Sequence, residues 1–335
     1  MKPSPHSVLI LHENLGEDAR TDEADALLQV SQVTEALETL HWKVSTQAID
    51  LDLAGGLQLL RDRQPGCVFN LVESLGGRGE LIGLVPSLLE SAGIPFTGSG
   101  SIAINLTSHK MLAKRFMRLD GIATPDWRVD AGESIANDES WIVKSLWEHA
   151  SLGLDDGSVV QGRSAMESRM RQCAATHGGV WFAERYVDGR EFNISLIEQN
   201  GQPLVLPLAE MTFVDYPPGK PKIVSYAAKW DENAPEYRAT ERHFPQLSDA
   251  ERQSLHTVAR RCWSLFGLRG YARVDVRLDS GGTPWVLEVN ANPCLTRDAG
   301  FIAATGEAGM RYRQVIEMIL HAAMRPALPV LRRVS

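Results

Sequence analysis

Cysteine is scarce in this chain, and its spacing builds neither a metal knuckle nor a redox pair. The four cysteines, at 67, 173, 262 and 294, form no CxxC and no zinc spacing. They read as reduced thiols of a cytoplasmic protein. Positive charge is also short, since 34 Lys and Arg against 42 Asp and Glu leave a net charge of −8. An acidic chain without a basic stripe lacks the electrostatic footprint of nucleic-acid binding. Long hydrophobic runs are missing too. The longest, Leu81–Leu89, is broken by Gly83 and Pro86 and falls short of the ~20 residues a membrane span requires. Met1-Lys-Pro-Ser-Pro5 leads into a four-residue apolar run, too short for a signal-peptide core. Internal repeats and low-complexity tracts do not occur. What is present is a globular composition: 335 residues, 44% hydrophobic and 23% charged, long enough for about two domains.

Strand and helix patterns alternate through the first hundred residues. Val8–Leu11 reads as a buried strand, followed by a helix with Leu27, Val30, Val33, Leu37 and Leu40 on one face. A second apolar run, Cys67–Val72, precedes Leu75-Gly-Gly-Arg-Gly79 and a helix from about Glu80 to Ser91. That alternation implies parallel pairing in a Rossmann-like sheet. The glycines do not form GxGxxG between a strand and a helix, so they read as a turn. A nicotinamide-dependent oxidoreductase is disfavoured on that ground. The helix carrying Lys110, Met111, Leu112, Phe116 and Leu119 ends at Gly121, with Pro125 beyond. A smaller unit follows, with strands at Trp141–Lys144 and Ser158–Gln161, a helix opened by Ser164-Ala-Met-Glu167, and a strand to Glu184. Longer strands and hairpins begin at Glu191. A helix capped by Ser248-Asp-Ala-Glu251 carries Leu255, Val258, Ala259, Cys262 and Phe266, and Gly267 closes it. The expected division is 1–104, 105–186 and 187–325, with a loosely held basic tail over 326–335.

The chemistry gathers in one hairpin, Tyr271-Ala-Arg-Val-Asp-Val-Arg-Leu-Asp-Ser-Gly-Gly-Thr-Pro-Trp-Val-Leu-Glu-Val-Asn290. Two alternating runs flank Gly281-Gly282, which reads as the turn centre. With that centre, Asp275 faces Glu288 and Arg273 faces Asn290. Ala272, Val274, Val276 and Leu278 then share the other, apolar face with Trp285, Leu287 and Val289. Carboxylates directly opposite on a sheet repel unless a cation lies between them. Hard oxygen ligands of this kind suit Mg²⁺, which completes its shell with water and phosphate oxygens. On the hairpin alone, a solvated face neutralised by Arg273 and Arg277 is the alternative.

Glu288-Val-Asn-Ala-Asn-Pro293, with Gly270-Tyr-Ala-Arg-Val-Asp275 before it, resembles the metal-binding end of the ATP-grasp superfamily. It is most similar to the D-alanine–D-alanine ligase branch. Phe69-Asn-Leu-Val-Glu73, Gly93-Ile-Pro-Phe-Thr-Gly-Ser-Gly100 and the Lys110 helix resemble that branch in order and spacing, so the likeness runs from about residue 65 to 320. The resemblance implies an α/β chain in three parts. These are an N-terminal Rossmann-like parallel sheet, a small central α+β lid, and a C-terminal α+β unit with an antiparallel sheet. It implies ATP and two Mg²⁺ ions, with Mn²⁺ as a substitute, the metals held by Asp275, Glu288 and Asn290. Lys110 and Lys144 then meet the ATP phosphates. Residues 148–153 resemble the loop over those phosphates, with Glu148 and Ser151 toward the nucleotide. Glu184 to Val187 resembles the hinge that reads adenine through backbone groups, and Glu191 the carboxylate on the ribose. Lys229 resembles the lysine reaching the terminal phosphate, and Arg273 the cation at the anionic reaction centre. Arg273, Lys229 and Ser151 form the catalytic set by this comparison.

The activity implied is carboxylate–amine ligation, in which an acyl phosphate forms with release of ADP and the amine then displaces phosphate. The partners are a small-molecule carboxylate and an amine, with neither nucleic acid nor membrane, and the resemblance allows a homodimer. The near alternative is a D-alanine–D-alanine ligase of cell-wall synthesis. The distant one is a nucleotide-binding regulatory module without catalysis, against which the full set of lysines, Arg273 and metal-ligand positions speaks. The substrate half departs from the family pattern. His12-Glu-Asn-Leu-Gly-Glu-Asp18 stands where the family has a glycine-rich loop, and Asp22 or Glu23 offers the carboxylate for the first substrate's amino group. Ala150, Trp230 and Ala299 stand where the family has a serine, a tyrosine and a serine. The expected substrate contacts are Asp22, Glu23, Trp230, Asn292, Cys294, Ala299 and Gly300. Each lost donor to a buried polar substrate costs about 1–3 kcal/mol, which points to substrates other than two D-alanines.

Overall fold

Short apolar strands separated by helices are covered on both faces, and the N-terminal third follows that rule. The computed structural model describes residues 6–15, 21–129, 136, 138–147 and 151–325, and for 21–24 the backbone alone. The tail over 326–335 lies outside the described residues. Strands β1 (Ser7–Glu13), β2 (Lys43–Ile49) and β3 (Cys67–Asn70) pair in parallel in the order β2-β1-β3. β2 has no apolar run, because it is an edge strand of which only Ile49 is buried. Helix α1 (Thr21–Thr39) packs Ala26, Val30, Val33 and Leu37 inward, while Leu27 is 49% exposed and Leu40 half-buried. The helical period from Val30 leads back to residue 26, one position before the expected leucine.

Helix α2 (Leu53–Arg63) is capped by Asp52, whose carboxylate accepts the Gly55 N–H at 2.9 Å. A 3₁₀ turn over Gly79–Leu81 precedes α3 (Leu84–Ala92), which starts later than expected and closes on the left-handed Gly93. Helices α4 (Ser101–Ser108) and α5 (Lys110–Leu119) are separated at His109, whose ring accepts the Leu112 N–H and caps the second.

The middle of the chain forms a four-stranded antiparallel sheet. Its order is β4-β7-β5-β6, from β4 (Trp127–Arg128), β5 (Ser140–Ser145), β6 (Val159–Gln161) and β7 (Trp181–Arg185). Helix α6 (Gly162–His177) seals it with Met166 and Cys173 against Trp141, Val143, Trp181 and Ala183. That helix begins at Gly162, so Ser164 lies inside the first turn and Glu167 in the second, and the pair does not cap it.

The last part is a six-stranded antiparallel sheet. Strands β8 (Arg190–Gln199), β9 (Gln202–Val205), β10 (Ala209–Phe213), β11 (Thr240–His243), β12 (Tyr271–Leu278) and β13 (Pro284–Asn290) run in the order β11-β10-β8-β12-β13, with β9 on β8. Between β10 and β11 lie α7 (Tyr226–Trp230) and α8 (Pro235–Ala239). Helix α9 (Asp249–Phe266) carries the expected capping box and buries all five expected residues, and α10 (Gly300–Glu307) and α11 (Tyr312–Met324) follow. The parallel sheet shares one core with this part: Val8, Ile10 and Phe69 pack with Ile197, Tyr271, Phe301 and Val315. The four-stranded sheet has a core of its own. No helix among the described residues is long and apolar enough to cross a membrane.

All four cysteines are free thiols. Burial pushes the Cys67 and Cys262 thiols up to about 12, and raises Cys173 and Cys294 as well. Since the thiolate is the reactive form, the native protein is expected to alkylate slowly with iodoacetamide at pH 8. Mass spectrometry should count four modified residues only after denaturation; rapid labelling of the native chain would contradict the burial.

Candidate active site

The hairpin of β12 and β13 sets the axis of the site. Asp275 pairs with Glu288 and Arg273 with Asn290. The tip differs from a two-residue turn at Gly281-Gly282. Asp279 donates its N–H to the Thr283 carbonyl at 3.1 Å across a three-residue loop, with Gly282 left-handed at φ 79°. Near the tip the register is therefore one residue off, with Val276 opposite Val286. A bulge at Leu287 restores it before the acidic pair. Two expected core residues are displaced as a result. Val286 is buried in place of Leu287, which turns into the cavity. Trp285 leaves the core, and its Nε1 donates to Asp279 Oδ2 at 2.8 Å.

Asp275 is buried and heavily held. The Arg273 guanidinium forks onto it, Nε to Oδ1 at 2.8 Å and Nη2 to Oδ2 at 2.9 Å, and Asn193 Nδ2 donates to Oδ1 at 2.9 Å. Burial raises the Asp275 pKa in spite of Arg273, and Glu288 adds to the rise. Lys110 Nζ lies 3.6 Å from Glu288 Oε2. Asn290 Oδ1 accepts the Asn292 N–H at 2.9 Å, which fixes its side chain beside the pair. Next along β12, Arg277 is 3% exposed and forks onto Glu191 at 3.0 and 2.7 Å. The solvated face allowed by the hairpin alone is thus absent. Arg277 also donates to the Gly189 carbonyl at 3.1 Å and to that of Lys222. Gly189 runs so close to β12 that a Cβ there would lie 2.2 Å from the Leu278 oxygen, which requires glycine.

Lysines converge from two other elements. Lys144 on β5 lies 2.5 Å from Glu184 Oε1, and Lys114 on α5 lies 2.6 Å from Oε2. Burial opposes the Glu184 charge, yet the two ammonium groups hold its carboxyl below the usual range. Lys229 sits in α7, whose first turn is capped by the Ser225 hydroxyl accepting the Ala228 N–H at 3.1 Å. Burial lowers the Lys229 pKa and Arg273 adds to that, while Glu288, Asp275 and Glu191 pull the other way.

The loop at Ser151 is clasped to the segment before α7. Ser151 is left-handed at φ 61°, and its hydroxyl donates to the Val224 carbonyl at 3.0 Å. Tyr226 N donates to the Leu154 carbonyl at 3.0 Å, and Lys220 bonds Asp156 at 3.0 Å as well as Glu236. At the far end, the Cys294 thiol donates to Asp25 Oδ2 at 3.2 Å, and Glu73 N donates to Glu13 Oε2 at 3.1 Å. Burial raises the Asp25 carboxyl, with Asp298 adding to the rise.

A cavity of about 600 Å³ joins these groups, a size suited to a drug-sized ligand or cofactor. Every expected site residue with a described side chain lines it. Glu148 and Ala150, and the side chains of Asp22 and Glu23, lie outside the described residues. Asn292 lines the cavity with both ends of its amide engaged: Tyr271 Oη donates to Oδ1 at 2.7 Å, and Nδ2 donates to the Val72 carbonyl at 3.2 Å. It acts as a strut between the hairpin and the parallel sheet. Ala299 caps α10 with no side-chain bond, and a Cβ at Gly300 would lie 3.6 Å from the Arg242 guanidinium. Lys114, Asn193, Asp25, Glu13 and Arg242 are absent from the sequence expectations. Two of them carried a signal: Lys114 is one helical turn past Lys110, and Asn193 shares a strand face with Glu191.

Residues 126–321 match the family described as D-ala D-ala ligase C-terminus. The D-alanine–D-alanine ligase of Synechococcus sp. (strain JA-3-3Ab) is 32% identical over 325 residues, covering 89% of this chain and 90% of that protein. The chain belongs to the D-alanine–D-alanine ligase family. It is an ATP-dependent ATP-grasp ligase that forms carbon–nitrogen bonds. Uncharacterized protein y4sG of Sinorhizobium fredii (strain NBRC 101917 / NGR234) is 30% identical over 271 residues, 78% of this chain and 76% of that one. The crystal structure of D-alanine–D-alanine ligase from Bacillus anthracis complexed with ATP has the same fold. Its TM-score is 0.72 over 95% of this chain and 97% of that one, at 20% identity.

For this ligase the oxygen set fits Mg²⁺. Two carboxylates and an amide oxygen stand together on adjacent strands. Among the described residues no group of three His, Cys, Asp or Glu is placed to hold a metal by itself. A short set of hard ligands suits an ion that takes its remaining oxygens from phosphates and water.

Proposed function

We propose that this ligase activates a carboxylate as an acyl phosphate, joins it to an amine with release of ADP and phosphate, and uses substrates other than two D-alanines. One observation carries the reading. The nucleotide side of the cavity holds Lys110, Lys144, Lys229 and Glu191, whereas the substrate side holds Ala299 without a hydroxyl and a Cys294 thiol bonded to Asp25.

Phosphoryl transfer asks the protein chiefly for position and charge. Backbone groups from Glu184 to Val187 would hold adenine, and Glu191, fixed by Arg277, would take the ribose hydroxyls. Lys110, Lys144 and Lys229 would offset the phosphate oxygens. Bound Mg²⁺, held by Asp275, Glu288 and Asn290, would neutralise further phosphate charge. Arg273, held by the fork onto Asp275, would stabilise the oxyanion that forms as the amine attacks. Glu13, Asp25 and Glu73 gather carboxylates at the far end, which suits an ammonium group on the carboxylate substrate. The clasp between Ser151 and Val224 supports a lid that keeps water from the acyl phosphate. Free thiols throughout fit the reducing cytoplasm.

Chromatography of the spent nucleotide should give ADP, and phosphate release should be screened over amino acids, dipeptides and small carboxylic acids. AMP as the main product would overturn the reaction class. Robust D-alanyl-D-alanine formation at ordinary D-alanine concentrations would overturn the substrate reading alone.

A further inference from the structure

Lys114 is 0% exposed and does not line the cavity, yet it belongs to the charge cluster that does. The cluster is one carboxylate, Glu184, between two ammonium groups, Lys114 and Lys144. Glu184 is itself buried, so its charge needs a partner at all times. Lys144 side-chain exposure is 16%, and it opens onto the cavity. Lys114 is fixed instead: its Nζ donates to Thr124 Oγ1 at 2.9 Å, and that hydroxyl donates to the Val286 carbonyl at 2.7 Å. The anchor at Val286 lies two residues before Glu288 on the hairpin.

We propose that Lys114 is a positioning residue that keeps Glu184 neutralised so that the charge of Lys144 is available to nucleotide phosphates. The proposal rests on the reading of Lys144 as a phosphate lysine. One carboxylate and two ammonium groups leave a single positive charge over. Lys114 cannot carry that charge to a ligand, because it is sealed and anchored. Lys144 therefore presents it, and can turn toward a phosphate while Glu184 stays paired to Lys114. Without Lys114, a lysine leaving Glu184 would strand a buried carboxylate, so Lys144 would stay and nucleotide would bind weakly. The other charges facing the cluster do not replace Lys114, since Glu288 and Glu191 add negative charge.

The test measures Mg-ATP affinity by calorimetry, which needs no substrate, with melting temperature and circular dichroism as folding controls. Lys114→Met is expected to raise the Kd at least tenfold, and Lys114→Arg to stay within threefold of the parent. The deciding variant is Lys114→Met combined with Glu184→Gln, which restores one net positive charge on Lys144. It also removes both buried charges together, so it keeps the test open if Lys114→Met alone does not fold. Its Kd is expected within threefold of that of Glu184→Gln alone, which carries any effect of residue 184 itself on the nucleotide. A folded double variant that binds tenfold or more weakly than Glu184→Gln alone would overturn the proposal and leave Lys114 a purely structural residue. Unchanged affinity in Lys114→Met would overturn it as well. Lys144→Met separates the two layers: unchanged ATP affinity there would remove the phosphate reading itself.

Discussion

Glu288→Gln is expected to abolish turnover while the protein stays folded. Glu288 projects from β13 beside Asp275, with Lys110 Nζ 3.6 Å from its Oε2. Glutamine keeps the volume; it relieves the repulsion between two like charges on paired strands and removes the charge facing buried Lys110, two effects of opposite sign. On the proposed function, what it loses is an ionised oxygen for the metal. A metal contributes several kcal/mol of charge stabilisation to transfer at a phosphoryl group, so turnover should fall at least about a hundredfold. ADP release at saturating substrate measures the loss, and thermal melting without metal should stay near that of the parent. Turnover near the parent level would remove Glu288 from the metal site, and early melting would make it structural.

Arg273→Met should act on catalysis and stability together. Removing one preorganised donor to a developing oxyanion lowers kcat by about 10²–10³-fold. The same change strips Asp275 of its fork, leaving a buried carboxylate against Glu288 with Asn193 as the remaining donor. Breaking one side of a buried pair costs about 3–5 kcal/mol. Melting in chelator should therefore drop, and Mg-ATP should recover part of it by neutralising the acidic pair. Adding Asp275→Asn removes both charges and should restore the apo stability without restoring turnover. A double variant as unstable as Arg273→Met would show that packing, and not the stranded carboxylate, carries the effect.

The acidic pair was legible in the sequence through two departures that cancel. A two-residue turn at Gly281-Gly282 gives Asp275 opposite Glu288, and so does a three-residue loop followed by a bulge at Leu287. Alternation shows which residues share a face, but loop length and bulge are set by backbone bonds that Asp279 draws with its carboxylate. The cost of that ambiguity falls on Trp285, Val286 and Leu287, which exchange places relative to the simple pattern. Helix faces were legible to within one residue: in α1 the periodicity is sound, but Ala26 carries too weak an apolar signal to outweigh Leu27. The edge strand β2 left no apolar trace. Asp25, Glu13 and Arg242 meet the cavity only through tertiary packing across segments far apart in the chain, for which local pattern has no signal.

The unequal sharing of cores has a consequence for how the molecule comes apart. The parallel sheet, α10 and α11 bury one apolar mass in common, and the Asn292 strut ties the parallel sheet to the hairpin. Opening either of those sheets exposes the packing of both, so they are expected to open as one cooperative unit. The four-stranded sheet and α6 share a smaller apolar cluster of their own, with Trp141, Val143, Met166, Cys173, Trp181 and Ala183. A smaller buried mass means a lower free energy of local opening. Lys144 and the 184–187 segment, which the proposed function assigns to the nucleotide, therefore sit on the part of the fold whose amides are expected to exchange first, and added nucleotide is expected to slow that exchange.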